Sequence, residues 1–381
     1  SALIRESGTV SSKQLLGIAG VTAFLAAILA SSAIFCPQVA LGQTNAGRGM
    51  WTSGYLGGPP TASPKTVVII PVEGFVDGGL FESIKRRVTE AQKLSPELIV
   101  FQIDTYGGAV DFAMEITNFI GNMDRPKVIA YIPRKAYSAG AMIAMAAREI
   151  VMAPNASMGD VAPVAPSPEG YQILGEKQQS PIRNILRNYA ERNGYPVPLA
   201  EAMVTPEIEV YEVTFADGTK KYINSTDFDN LSQAEKDTVT SKRVIDAKGQ
   251  ILTMSAKEAR EYGFARFIAK DTSELLNAYG LKGANVVTFE ATWLELLVRR
   301  LNHPAVASII LLVGIIGIYM EFKIPGFGLP GIVAIVCFAS FFLSKYLTGM
   351  AEYWEIAIFL IGIVLLGIEI FFIPGFGVTG F

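Results

Sequence analysis

Three short stretches carry residue types that could do chemistry together. Ser138 ends Lys135-Ala136-Tyr137-Ser138, the close of a candidate strand, and opens a run of small residues that includes Ala139, Gly140, Ala141 and Ala144. A serine there sits at the positive end of a helix, where an alkoxide or oxyanion is favoured. Asp104-Thr105-Tyr106-Gly107-Gly108 follows an apolar run and precedes a helical pattern, so its two glycines can present backbone N–H groups where a strand ends. Such donors hold a developing oxyanion without any side chain. Taken singly, each feature has a plain structural reading: a helix cap for Ser138 and a tight turn for Gly107 and Gly108.

A serine hydroxyl is a poor nucleophile until a base takes its proton. The chain has one histidine, His303, beside Pro304 at the edge of an apolar segment, and two cysteines, Cys36 and Cys337, both in or beside apolar segments. These positions speak against a Ser-His-Asp triad, a thiolate nucleophile, a disulfide or a Cys/His metal centre in the middle of the chain. No metal and no cofactor is therefore expected. Lysine can serve as the base if desolvation lowers its pKa. The candidates are Lys127 at the start of a strand, Lys135 just ahead of Ser138, and Lys177 before an amphipathic helix; the residues alone leave the choice open.

The elements that must position these groups follow from periodicity. Of the 381 residues, 50% are apolar, and the mean hydropathy is positive. The apolar excess lies in Leu15–Phe35 and in most of Pro304–Ile373. The region between has the mixed composition of a globular domain. A net charge of −3 argues against nucleic acid as a partner. Apolar β-branched runs at Thr66–Val72, Leu98–Asp104, Lys127–Ile132 and Glu149–Met152 alternate with helical spacings at Leu80–Leu94, Ala109–Ile120 and Ser138–Ala147, which predicts an α/β fold of parallel βαβ units. A further helix is expected over Pro181–Arg192, a hairpin over Ile208–Ile223 around Asp217-Gly218, and a surface excursion over Asn224–Lys248. Ser255–Tyr262 and Phe264–Ala269 add a helix and a strand.

The expected division is a signal peptide or N-terminal anchor over 1–42, a Gly/Pro/Ser-rich linker over 43–65, a soluble domain over 66–290, an interfacial amphipathic helix over 291–303 and a membrane region over 304–381. Within the last, Pro325-Gly326-Phe327-Gly328 recurs as Pro374-Gly375-Phe376-Gly377. Three spans are expected: Ala305–Met320, Gly331–Leu347 and Trp354–Phe372. Glu321 and Glu369 stand at nearly matching places before the two turns. Acidic groups at membrane depth are costly unless paired or functional, which makes both candidates for partner contact.

These motifs together resemble the membrane-bound NfeD family of the ClpP/signal-peptide-peptidase-A superfamily, over roughly Lys65–Phe381. The family's DTPGG turn corresponds to Asp104–Gly108, its SAG motif to Ser138-Ala139-Gly140, and its strand-and-exit motif to Ile150–Val164. Lys177 takes the place of the family's catalytic lysine relative to Gly194, and Leu252–Gly263 matches its T-x-x-E-A-x-x-x-G segment. Tyr106 stands where the family has proline, and Asp160 where it has a small residue. The resemblance implies a ClpP/crotonase-like domain ahead of an α-helical multispan membrane domain. It further implies a serine endopeptidase using a Ser138–Lys177 dyad, with an oxyanion hole from Gly107, Gly108 and Ala139.

The substrate so implied is a polypeptide with an apolar segment, the partner a stomatin- or flotillin-like (SPFH) membrane protein, and the assembly a homo-oligomer. The expected location is the cell membrane, with the protease domain on the extracytoplasmic side. Two other classes remain: a non-catalytic membrane scaffold binding an SPFH-type partner, and an acyl-CoA-handling crotonase enzyme that needs neither Ser138 nor Lys177.

Overall fold

The computed structural model describes residues 65–323, 328–348 and 350–372, with no side chain described for Phe322 or for residues 366–372. The expected N-terminal segment and almost all of the linker lie outside the described residues, as do Pro325–Phe327 of the first Pro-Gly-Phe-Gly turn and the whole of the second. The described chain separates into two compact units, Leu311–Phe338 and the remainder.

Fourteen strands are described. Thr66–Val76 (β1), Leu98–Gly108 (β2), Lys127–Ile132 (β3), Lys135–Tyr137 (β4), Glu149–Met152 (β5) and Ser157–Gly159 (β6) come first, interleaved with the helices Gly78–Lys93, Val110–Gly121 and Ala139–Ala146. Val164–Ser167 (β7) and Gly170–Ile173 (β8) form an antiparallel hairpin ahead of the helix Glu176–Asn193. Val210–Phe215 (β9), Lys220–Asn224 (β10) and Val239–Asp246 (β11) make a separate three-stranded sheet. Thr253–Ser255 (β12), Ala265–Ile268 (β13) and Asn285–Thr288 (β14) return to the main one.

The main sheet runs β12-β6-β4-β2-β3-β5-β13, with β1 between β2 and β14. Only the β12–β6 pairing is antiparallel. Strands enclosed on both faces must be apolar throughout, and Val67, Val68 and Ile70 of β1 are wholly buried. The helix Gly78–Lys93 starts at Asp77, whose carboxylate accepts the Leu80 N–H at 2.8 Å, and buries Leu80, Ile84, Val88 and Ala91 at helical spacing.

β2 changes neighbours along its length. It pairs with β3 from Leu98 to Gln102 and then, at Thr105, with Ala136 of β4. The repeated β/α units therefore form a curled sheet of the ClpP/crotonase-like kind. That curl sets the end of β2, with its two glycines, beside the end of β4, which leads into Ser138.

Several expectations need correction. β1 continues past Val72 to Val76 across a register shift between Glu73 and Phe75, because its far end still has β2 to pair with. β2 likewise continues through Gly108. Asn224–Lys248 is not a mere excursion, since β11 pairs with β9 and completes a sheet. The strands β4, β6 and β12 have three residues each, too few to show a period.

The helices Pro304–Lys323, Leu329–Leu347 and Tyr353–Phe372 occupy the three expected spans. Among the described residues two have the length and apolar character to cross a membrane, Pro304–Glu321 and Leu329–Leu347. The third has a shorter described apolar stretch, Tyr353–Leu365. Among the described residues the membrane region thus has two span-like helices where a multispan domain was expected, the side chains of 366–372 lying outside them. Within the smaller unit these helices approach closely at Gly317, where a Cβ would fall 2.8 Å from the Pro330 carbonyl oxygen and 3.1 Å from Ala334 Cβ.

Candidate active site

Ser138 follows β4 and precedes the helix Ala139–Ala146, with φ +51° and ψ −117°. That conformation is costly for a residue with a side chain, by about 1–3 kcal/mol, and persists only where its surroundings hold it. The Ser138 N–H donates to the Gly159 carbonyl of β6 at 2.9 Å, and its carbonyl accepts the N–H groups of Ala141 and Met142 at 3.0 and 3.2 Å. Its side chain makes no capping hydrogen bond, so the cap reading does not apply. The small residues behind it have a packing reason. Every residue of Ala139–Ala146 is buried, and a Cβ on Gly140 would lie 2.7 Å from Thr105 Cγ2. The result is a sharp strand-to-helix turn that leaves the Ser138 hydroxyl without a capping bond.

Gly107 lies directly against it. Its φ is +111°, and a Cβ there would fall 2.7 Å from Ser138 Cβ, 3.0 Å from Ser138 Oγ and 3.4 Å from the Ala139 nitrogen. Gly108 has a different reason to be glycine: its Cβ would meet the β1 backbone, 2.7 Å from Val76 Cα. The Gly107 N–H donates to Thr105 Oγ1 at 2.9 Å, and Thr105 Oγ1 donates to the Gly74 carbonyl. The Gly107 amide thus has a partner already, unlike the open donor expected of it. Thr105 is the residue that the motif alone does not single out. The signal that could have found it is a hydroxyl residue two positions before a turn glycine, a spacing at which Ser and Thr side chains bond the backbone.

Tyr106 does not disturb this turn, because its side chain projects outward at 76% exposure. Its ring lies 6.1 Å from that of Tyr137 and beneath the Lys135 ammonium, 4.1 Å from Nζ to the ring centroid.

The three lysines separate clearly. Lys135 Nζ is 3.3 Å from the buried Asp104 carboxylate, which Arg134 also engages, so Lys135 is committed to an ion pair. Lys127 Nζ lies 2.9 Å from Glu149 and over the Tyr279 ring. Burial would raise the Glu149 pKa, but hydrogen bonds from Tyr279 and Lys127 and the lysine charge hold it below the usual range. Lys177 lies in the first turn of the helix Glu176–Asn193 instead of ahead of it. It is exposed and forms no hydrogen bond or ion pair among the described residues, while its neighbour Glu176 pairs with Arg183. The structure brings Ser138, Gly107 and Ala139 together and does not bring Lys177 into hydrogen-bond contact with Ser138.

The far end of that helix is firmly attached. Asn193 Nδ2 donates to the Met145 and Ala147 carbonyls at 2.8 Å, and Arg192 reaches Gly121 at 2.7 Å. Asp160 takes φ +53° and donates its N–H to Leu252 at 3.0 Å. Its exposed carboxylate pairs with no lysine among the described residues.

Glu321 has an internal role. Its two oxygens accept the N–H groups of Gly328 (2.5 Å) and Gly331 (2.7 Å), and Gly331 has no room for a Cβ because Glu321 Cδ would be 2.8 Å away. Each oxygen of the Glu321 carboxylate thus has a backbone partner among the described residues. Glu369 lies in the helix Tyr353–Phe372, but its side chain is outside the described residues.

Residues 66–246 match the family profile described as NfeD1b, N-terminal domain, and residues 305–381 that of the NfeD integral membrane domain. Membrane protein NfeD1b of Bacillus subtilis (strain 168) is 30% identical over 319 residues, 84% of this chain and 64% of the relative. Membrane-bound protease PH1510 of Pyrococcus horikoshii is 24% identical over 301 residues, 73% of this chain and 57% of the relative. The chain thus spans less than two thirds of either relative. Among solved structures, the 1510-N membrane-bound stomatin-specific protease in complex with a substrate peptide matches with TM-score 0.45 at 20% identity, over 63% of this chain and 98% of that one. ClpP1 from Listeria monocytogenes matches with TM-score 0.35 at 18% identity, over 56% and 94%. With its globular and membrane regions each matched by a profile of one family, the protein is a member of the NfeD family of membrane proteins.

Proposed function

We propose that the chain is a membrane-anchored serine endopeptidase whose nucleophile is Ser138. The observation that carries this reading is the strained Ser138 turn, with an uncommitted side chain set against Gly107 and the Ala139 nitrogen. Ser138 Oγ attacks a peptide carbonyl, and the developing oxyanion is held by backbone N–H groups of Ala139 and Gly108, with the Gly107 peptide beside them kept in place by Thr105. Lys177 is the base. It takes the serine proton and returns it to the leaving amine, once its first helical turn is covered and water removed by substrate or a second copy of the chain.

The substrate is an apolar stretch of a membrane-associated polypeptide. A similar protein named as a stomatin-specific protease suggests a stomatin-like SPFH protein as substrate or partner. The remaining parts of the reading are a homo-oligomer, a protease domain over 66–290 on the extracytoplasmic face, an interfacial helix over 291–303 and a membrane region from 304 onward. An N-terminal leader or anchor over 1–42 and a linker over 43–65 precede these.

A second reading rests on one observation, the exposure of Lys177: a non-catalytic membrane scaffold whose protease-like domain binds an SPFH-type partner. One comparison separates the two. The detergent-solubilised protein is treated with a serine-directed fluorophosphonate beside Ser138→Ala and Lys177→Ala, and cleavage of apolar peptides is followed. Labelling and cleavage confined to the wild type support the dyad, and activity surviving in both variants would sink it. A wild type that neither labels nor cleaves but co-purifies with an SPFH protein supports the scaffold.

A further inference from the structure

The glycine turn beside Ser138 is joined to the helix that precedes the membrane segments by an unbroken series of contacts. Arg299, on the helix Trp293–Asn302, donates from Nη2 to the carbonyls of Glu73 (2.9 Å) and Phe75 (3.0 Å), one on each side of Gly74, and its Nε lies 3.9 Å from Asp77. Gly74 takes φ +75°, and a Cβ there would meet Arg299 Nη2 at 3.1 Å. The carbonyl between these two accepts from Thr105 Oγ1, which in turn accepts the Gly107 N–H. The Thr105 methyl lies under Gly140 of the helix that Ser138 opens. A single side chain, 1% exposed, therefore touches the β1 bulge, the peptide beside the nucleophile and the nucleophile's helix.

The arginine end of this series is tied to the membrane region. Asn302, at the end of the same helix, is buried and donates from Nδ2 to the Ser344 carbonyl (2.9 Å) and Thr348 Oγ1 (3.3 Å), at the end of the helix Leu329–Leu347. Thr348 in turn packs on the start of the helix that follows β1: a Cβ on Gly79 would lie 3.2 Å from Thr348 Cγ2 and 3.2 Å from Arg299 Cγ. The Arg86–Glu295 pair, 2.7 Å, holds the helix Trp293–Asn302 against the helix Gly78–Lys93.

We propose that Thr105 and Arg299 are positioning residues, through which the membrane-proximal helix sets the glycine turn that serves Ser138. Two hydrogen bonds to carbonyls flanking Gly74 fix the bulge. The bulge carbonyl fixes the Thr105 hydroxyl, and the hydroxyl fixes the Gly107 peptide. Removing the Thr105 hydroxyl leaves the buried Gly107 N–H unpaired, and removing Arg299 releases the exposed bulge whose carbonyl holds that hydroxyl, so either change frees the peptide to rotate. The catalytic consequence rests on the reading of Ser138 as nucleophile; the mechanical link does not.

The test uses the full chain in detergent, following hydrogen exchange over residues 104–109 and cleavage of an apolar peptide in Thr105→Val, Thr105→Ser, Arg299→Ala and Arg299→Gln. Exchange over 104–109 is expected to rise about tenfold in Thr105→Val and in both arginine variants, with Thr105→Ser near wild type because it keeps the hydroxyl. Cleavage by the same variants is expected to lose about tenfold in kcat with KM within about twofold, the sign of lost transition-state stabilisation alone. Unchanged exchange in whichever arginine variant folds overturns the link, whether or not the protein cleaves, and so does a loss confined to KM. A wild type that never cleaves, with exchange responding as described, overturns the Ser138 reading and supports the link.

Discussion

Ser138 and Lys177 occupy opposite kinds of surroundings. The serine sits between β4 and a wholly buried helix, held at positive φ by the Gly159 carbonyl and closed in by Gly107. The lysine sits in the first turn of a longer helix, exposed and unpaired among the described residues, although that helix is attached along its length, through Gln179, Arg183, Arg187, Arg192 and Asn193. The geometry of the proposed nucleophile is therefore built into the sheet, whereas any base at Lys177 has to be completed by something that covers it. The difference teaches that the two halves of a proposed dyad can be under separate control, one from the sheet and the membrane-proximal helix, the other from whatever binds over the first turn of Glu176–Asn193.

The widest gap between the halves is chemical. Ser138→Ala is expected to abolish fluorophosphonate labelling and lower peptide cleavage by at least ~10³, with little change in melting temperature, because the hydroxyl makes no capping bond. Lys177→Ala should cost roughly 10²–10³ in kcat and also leave the fold intact, since the side chain is exposed. Lys177→Arg should fail to restore activity, because a guanidinium keeps its proton. Full activity in Lys177→Ala would break the comparison by removing the lysine from it.

Gly107→Ala probes the built-in half by stability. A methyl at φ +111° and 2.7 Å from Ser138 Cβ should destabilise the domain by about 2–4 kcal/mol, read by urea unfolding, and also abolish labelling. The same change at Gly194, which also has positive φ but nothing within 4 Å of its Cβ position, should cost only about 1 kcal/mol and so isolate the effect of crowding.

The smallest effect is electrostatic. Burial alone would raise the Glu295 pKa, but hydrogen bonds from Arg86 and the Thr292 backbone, with the Arg86 charge, hold it at about 2. A depressed carboxylate pKa contributes stability that is present above the ordinary value near 4.5 and is lost as pH falls toward 2. Both partners keep some solvent exposure, so Glu295→Gln should lower stability at neutral pH by about 1 kcal/mol or less and flatten its pH dependence between those values, as followed by thermal unfolding.

Much of this was legible in the residues. The β-branched runs and helical spacings marked β1, β2, β3 and β5 and the helices between them, since local periodicity reports burial directly. Lys127–Ile132 and Glu149–Met152 have the bounds expected of them. The Asp217-Gly218 turn joins β9 to β10, with Gly218 at φ +83° and Asp217 Oδ1 accepting the Thr219 N–H at 2.8 Å. What escaped were three-residue strands with no period, and strand ends that run on only because a distant neighbour is there to pair with.

By itself the sequence determined which chemistries were available: one histidine and two cysteines lie away from the serine, so a lysine was left as the base to consider, and long apolar runs called for a membrane. Only the tertiary structure decided how those residues are used. It bent Ser138 to positive φ, engaged Lys135 with Asp104 and Lys127 with Glu149, set Glu321 on the N–H groups of Gly328 and Gly331, and ran Arg299 through Gly74 and Thr105 to Gly107. The physical reason is that residue type fixes what a group can donate, accept or bury. Whether it does so depends on partners brought from elsewhere in the chain, and for Arg299 and Glu73 that separation is 226 residues.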